Sequence, residues 1–176
     1  DKPFIKPELP WEMNCIEAPT VIKHKGIWYM FYAGAYNHER QQIGVAWSSD
    51  GINYKRLQNC PVLPHGPEKS WNAWESGHPG VFVDDDGKAY LFWGNKGLWY
   101  GELNDDMISF KDGYKEVPGY HDPKSFGELQ SKMNWQKGEN EMMTQFEEAP
   151  WVTKRNGIYY MSYAAGGVPE YMGYST

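Results

Sequence analysis

The chain has 176 residues, with 17 Lys and Arg against 23 Asp and Glu and a formal net charge of −6. That acidic balance, without any cluster of basic residues, excludes nucleic acid and anionic membrane surfaces as partners, and no apolar run approaches the ~18 residues of a membrane-spanning helix. The length suits one ordinary domain, and an aromatic share of 16%, with 9 Trp and 13 Tyr, supplies flat rings for stacking on sugars or for filling the layers of a β-protein.

No signal peptide opens the sequence, and a start at Asp1 rather than Met reads as a mature or trimmed N-terminus. The first element signal is CIEAPTVIKHKGIWYMFYAG, residues 15–34. A β-rich PTVIK, the turn residues HKG and the aromatic IWYMFYAG predict a hairpin, and IGVAWSSDG predicts a further strand. Residues 58–77, rich in Pro, Gly, Asn and charge, read as a loop. From His78 the pattern returns as HPGVFVDDDGKAYLFWG, followed by LWYGELNDD. Residues 117–145 form a second long loop, in which KSFGELQSKMNW has room for a short helix despite poor apolar spacing. The last signal is FEEAPWVTKRNGIYYMSYAAG, residues 146–166, with EYMGYST after it. Cys15 and Cys60 lack a metal-binding spacing and read as ordinary thiols.

The first and last signals are copies of one unit. They align without a gap from Glu17 against Glu148 to Ala33 against Ala164, and in all three segments a glycine follows the first residue by nine, as Glu17 to Gly26, His78 to Gly87 and Glu148 to Gly157. Repeated hairpin-plus-strand units without a convincing amphipathic helix read as β-propeller blades, over about residues 11–57, 78–117 and 146–176. The fold class is therefore all-β, one partial propeller over residues 1–176. A residue just before an innermost propeller strand faces the central funnel, so Glu17, His78 and Glu148 are expected around one cavity. Asp84, Asp85 and Asp86 are assigned to a hairpin turn before Gly87, not to a metal cluster.

The blade HPGVFVDDDGKAYLFWG with LWYGELNDDMISF, and the blade FEEAPWVTKRNGIYYMSYAAGGVPEYMGYST, resemble the second and third blades of glycoside hydrolase family 43. Residues 11–98 also resemble blades of that family or of related five-bladed hydrolases. The resemblance implies a five-bladed propeller that removes xylose or arabinose from plant polysaccharides with inversion, using three acidic residues around an axial pocket. It implies an oligo- or polysaccharide substrate, no required cofactor, and room for a structural calcium on the propeller axis.

Residue by residue, the family's Glu-Gly-Pro stands here as Glu148-Ala149-Pro150, which gives Glu148 the general-acid role. The family's second-blade Asp-Pro stands as His78-Pro79. His78 either takes the place of the Asp that tunes the acid or binds an axial metal ion or water. The Ala-Asp-Pro setting of the base is absent: Asp1 lacks matching surroundings, and Asp122-Pro123 lies in a loop. Glu17 is the other axial carboxylate, as acid, base or sugar contact, and Glu75 is a weaker candidate. Trp28, Trp93, Trp99 and Trp151 offer stacking faces to a sugar. They would serve equally in a noncatalytic carbohydrate-binding propeller. Five blades also need more chain than this, and an incomplete propeller is preferred to a new three-bladed fold.

Overall fold

A computed structural model describes residues 2–36, 41–59, 61–63, 76–95, 98–112, 115–116, 146–166 and 169–176. Cys60, Glu75, the KSFGELQSKMNW segment and Asp122-Pro123 lie outside these residues. The strands form three antiparallel meanders in which neighbours in sequence pair with one another. The first sheet holds β1 (Cys15–His24), β2 (Ile27–Ala35), β3 (Gln41–Ser48) and β4 (Lys55–Arg56). The second holds β5 (Gly80–Val83), β6 (Ala89–Trp93), β7 (Trp99–Leu103) and β8 (Lys115–Glu116), and the third holds β9 (Phe146–Arg155), β10 (Ile158–Ala165) and β11 (Tyr171–Ser175). Helical structure among the described residues is limited to a 3-10 turn at Pro10–Glu12. The chain is all-β, built of three propeller-type blades, with β1, β5 and β9 as the innermost strands.

Turn chemistry sets the hairpins. Lys25 and Gly26, at φ 50° and 86°, and Asn156 and Gly157, at φ 52° and 78°, make the two-residue left-handed turns that match strand twist. The middle hairpin turns over more residues, with Gly87 N donating to Asp84 O at 2.9 Å and Asp84 N to Lys88 O at 2.9 Å. Alternation along the second sheet then feeds two cores. Val81, Leu91 and Trp93 pack against Phe31, Ile43 and Val45 of the first sheet. Phe82 and Phe92 pack against Val152, Met161 and Tyr163 of the third. A strand buried on both faces has no polar side, which explains why GVFV and AYLFW are apolar throughout.

At Gly80 the inner strands β5 and β9 meet backbone to backbone. A Cβ there would sit 1.8 Å from the carbonyl oxygen of Pro150. At the hairpin end, Asp84 ties the same two sheets together, with Oδ1 2.7 Å from Lys154 Nζ and Oδ2 accepting from Tyr159 Oη at 2.5 Å. Burial alone would raise the Asp84 carboxyl, but the bonds from Lys154, Tyr159 and the Asp85 amide hold it below its ordinary value.

The far face of the first sheet is covered by the N-terminal segment. Trp11 stacks on Tyr32, with centroids 5.8 Å apart and planes 13° apart, over the space left by Gly34 and Gly44. The adjacent Glu12 is fully buried. Its Oε1 accepts from Arg56 Nε at 2.8 Å and Tyr32 Oη at 2.7 Å, and its Oε2 from Arg56 Nη2 at 2.6 Å and the amides of Glu8 and Leu9 at 3.1 Å. Burial alone would raise this carboxyl. The bonds from Arg56, the Glu8 amide, Tyr32 and the Leu9 amide outweigh it and hold Glu12 below its ordinary 4.5.

Two outcomes follow from these contacts. Gly80→Ala forces backbone from backbone and should destabilise by about 1–3 kcal/mol, read as a lower urea midpoint; an unchanged midpoint would contradict the close approach. Because Glu12 is depressed in the folded state, its stabilisation is complete above the unfolded value of about 4.5 and is lost as pH falls through the lower folded value. Thermal midpoints should therefore fall below about pH 4.5, and Glu12→Gln should lose that stability already at pH 7.

Candidate active site

In both β1 and β9 the inner strand carries a bulge directly after the motif carboxylate. Glu17 pairs with Ala33 and Thr20 with Phe31; Glu148 pairs with Ala164 and Trp151 with Ser162. Three steps on the inner strand thus match two on its neighbour. The extra residue is Ala18 or Ala149, at φ 47° and 55°. A left-handed, non-glycine residue costs about 1–2 kcal/mol, and a β-branched side chain would raise that cost. The following proline already disfavours the right-handed helical region for the residue before it.

The second copy reaches the same place differently. His78 itself is left-handed, at φ 53°, and directly precedes Pro79, so by backbone it matches Ala18 and Ala149 rather than Glu17 and Glu148. The equal nine-residue spacing to the turn glycine arises because this copy has one residue fewer before its proline and one more after it. The shared register expected for His78 is corrected by one position.

His78 nevertheless meets Glu148. Its Nε2 lies 3.1 Å from Glu148 Oε2, within ion-pairing distance, with the two side chains 15% and 26% exposed. Asn95 Nδ2 donates to the same oxygen at 2.8 Å, and Asn95 and Glu148 also form a backbone bridge between the second and third sheets. Gly94 N donates to Gly77 O at 3.0 Å, which anchors the residue before His78 to the end of β6. The Asn95 amide and the His78 imidazole therefore both meet Oε2, while Oε1 has no protein partner among the described residues. Sequence reasoning passed over Asn95; its only signal was its place directly after the AYLFWG strand.

Glu17 stands at the corresponding point of β1. Its Oε1 accepts from Gln41 Nε2 on β3, and among the described residues no bond joins it to His78 or Glu148. The structure thus brings His78 and Glu148 together and leaves Glu17 with a different partner.

The tryptophans separate by position. Trp93 is 1% exposed and lies in the core between the first two sheets, stacked on Trp99 at 6.5 Å; its expected sugar-stacking role is corrected, because its ring is enclosed. Trp28 is at the hairpin end of β2, opposite Lys23, whose Nζ lies 5.3 Å from its ring centroid, away from the carboxylate end. Trp151 is 46% exposed, three residues past Glu148. Glu75 is outside the described residues.

Among the described residues no group of three His, Cys, Asp or Glu side chains is placed to hold a metal ion. Asp84 and Asp85 are both paired with Lys154, and Asp86 with Lys88. A cavity of about 360 Å³ opens at the opposite, hairpin end, beside His24, Lys25 and Lys88. Lys25 and Lys88 there face carboxylates, in pairs with Asp105 and Asp86, so the convergent unfilled acceptor lies at the Glu148 end.

The left-handed alanine is testable. Ala149→Val places a β-branched side chain at positive φ and should cost about 1–3 kcal/mol in urea unfolding, whereas Ala149→Gly should be neutral or stabilising. A Val variant as stable as the parent would contradict the bulge.

The family profile "Glycosyl hydrolases family 43" matches residues 2–176. Xylosidase/arabinosidase 43A of Humicola insolens is 29% identical over 185 residues, covering 90% of this chain and 53% of that protein. Beta-xylosidase of Xylanibacter ruminicola is 26% identical, covering 94% and 52%. Among solved structures, an alpha-L-arabinofuranosidase from Clostridium thermocellum superposes with a TM-score of 0.65 at 26% identity, over 91% of this chain and 46% of that one. A beta-xylosidase/alpha-arabinofuranosidase from a compost metagenome gives a TM-score of 0.65 at 24% identity, over 94% and 54%. The chain spans about half the length of the curated relatives it matches.

Proposed function

The chain belongs to glycosyl hydrolases family 43, and from that membership we propose that it carries the general acid of an inverting hydrolase that removes terminal xylosyl or arabinofuranosyl residues from hemicellulose. The observation that carries this reading is the half-held carboxyl of Glu148, with Oε2 hydrogen-bonded by Asn95 and flanked by His78 at 3.1 Å and Oε1 without a partner among the described residues. A carboxyl clamped on one oxygen presents its other oxygen in a fixed direction, which is what a proton donor to a leaving group needs.

In this mechanism Glu148 gives its proton from Oε1 to the glycosidic oxygen as the bond from that oxygen to the anomeric carbon breaks. Water attacks the same carbon from the opposite face and yields its proton to a second carboxylate, roughly 6.5–9.5 Å from the first. Glu17 has the same bulged setting on the first blade and serves as a contact to the sugar rather than as that base. Trp151 offers the exposed ring nearest in sequence to the acid. His78 acts here as a positioning residue, holding Oε2 so that Oε1 points to the substrate.

A noncatalytic carbohydrate-binding propeller is the second reading, favoured by an imidazole where the family carries an Asp. Hydrolysis of nitrophenyl xyloside and nitrophenyl arabinofuranoside, set beside xylan binding, separates the two. On the hydrolase reading, Glu148→Gln should lower turnover about 10²- to 10⁴-fold while leaving oligosaccharide affinity within a few fold. A variant that keeps more than half of the parent's rate on a substrate with a poor leaving group would refute the assignment.

A further inference from the structure

Gln41 opens β3, pairs with Ala35 and is fully buried. Its Nε2 donates to Glu17 Oε1, and its own Oε1 is enclosed without a hydrogen-bond partner among the described residues. A buried acceptor with no donor carries an uncompensated desolvation penalty. Methionine, of similar length and shape, would remove that penalty, and the half-buried Glu17 carboxylate could take its lost bond from water. Stability therefore does not account for an amide at this point. What the amide does accomplish is directional. It ties one carboxylate oxygen from the third strand while the bulge at Ala18 fixes the backbone from the first, and it leaves Glu17 Oε2 with no partner among the described residues.

We infer that Gln41 is a positioning residue that aims Glu17 Oε2 as a fixed acceptor for a hydroxyl of the bound sugar, an inference that rests on the hydrolase reading above and assigns Glu17 to substrate binding. A polyhydroxylated ligand suits such a site because it brings donors and no charge of its own. Glu17 and Glu148 then share a backbone device but differ in partner: Glu148 Oε2 is held by a His and an Asn of the next sheet, and Glu17 by an amide of its own sheet.

The test uses Gln41→Met, Glu17→Ala and the double variant in the full chain, with xylotriose and arabinotriose as probes. Gln41→Met should weaken the dissociation constant for the preferred trisaccharide about tenfold, raise KM on nitrophenyl glycosides in step, leave kcat within a few fold, and keep or raise the thermal midpoint. The double variant should bind no more weakly than Glu17→Ala alone, because the amide acts only through the carboxylate. Parental affinity in Gln41→Met, additive losses in the double variant, or a Met variant that unfolds would overturn the inference; the last would make Gln41 structural. If Glu148→Gln abolishes turnover while Gln41→Met binds as the parent does, the inference falls alone. A parent chain that neither binds these sugars nor cleaves the glycosides removes the hydrolase reading and the inference together.

Discussion

The backbone of β5 meets the backbone of β9 at Gly80 and Pro150, and the arrangement of the blades depends on that contact. Sheets that pack through side chains sit ~10 Å apart. Here the inner strands touch main chain to main chain, so the sheets diverge outward from a common edge, and large rings fill the widening space. Phe82 and Tyr159, at 6.0 Å and 77°, and Phe146 and Tyr163, at 5.5 Å, are the fill of that wedge. Trp93 and Trp99 fill the other core, between the first and second sheets.

The two ends of the inner strands are built on different principles. At the hairpin end, charges are closed against one another: Asp84 and Asp85 on Lys154, Asp86 on Lys88. At the other end, carboxylates are half satisfied, and two of the backbone positions beside them are strained alanines. Completed ion pairs hold a structure and offer little to a ligand; a carboxylate with one free oxygen does the reverse. This polarity separates the Asp84-Asp85-Asp86 turn, which looks richer in chemistry by sequence, from Glu17 and Glu148, which carry it.

Hairpins and repeats were legible in the sequence because both are local. Lys25-Gly26 and Asn156-Gly157 announce their turns, and the duplicated Glu-Ala-Pro announces the bulged strand. What was not legible is long-range. The Glu12–Arg56 pair spans 44 residues, Asn95 to Glu148 spans 53, and Gln41 to Glu17 spans 24. No periodicity marks such partners, since each joins segments that are not neighbours in sequence. Trp93 failed for a related reason: a strand buried on both faces gives no alternation by which to tell a packed ring from an offered one. His78 failed more subtly, because an equal spacing to the next glycine concealed two compensating shifts of one residue.

That shift bears on how the acid is aimed. An Asp at position 78 would set a second carboxylate against the Glu148 carboxyl, whereas His78 sets an imidazole 3.1 Å from Oε2 and Asn95 donates a hydrogen bond to the same oxygen. Both side chains flank strands of the second sheet, although the acid belongs to the third. The His78 backbone is left-handed, at φ 53°, and the hydrogen bond from Gly94 to Gly77 at 3.0 Å holds the preceding residue in place. The direction of Glu148 Oε1 is therefore set by the neighbouring blade, through the same inter-sheet edge that Gly80 keeps narrow. An acid so aimed is sensitive to blade spacing as well as to its own side chain, and this links the absence of a Cβ at Gly80 to the chemistry proposed for Glu148.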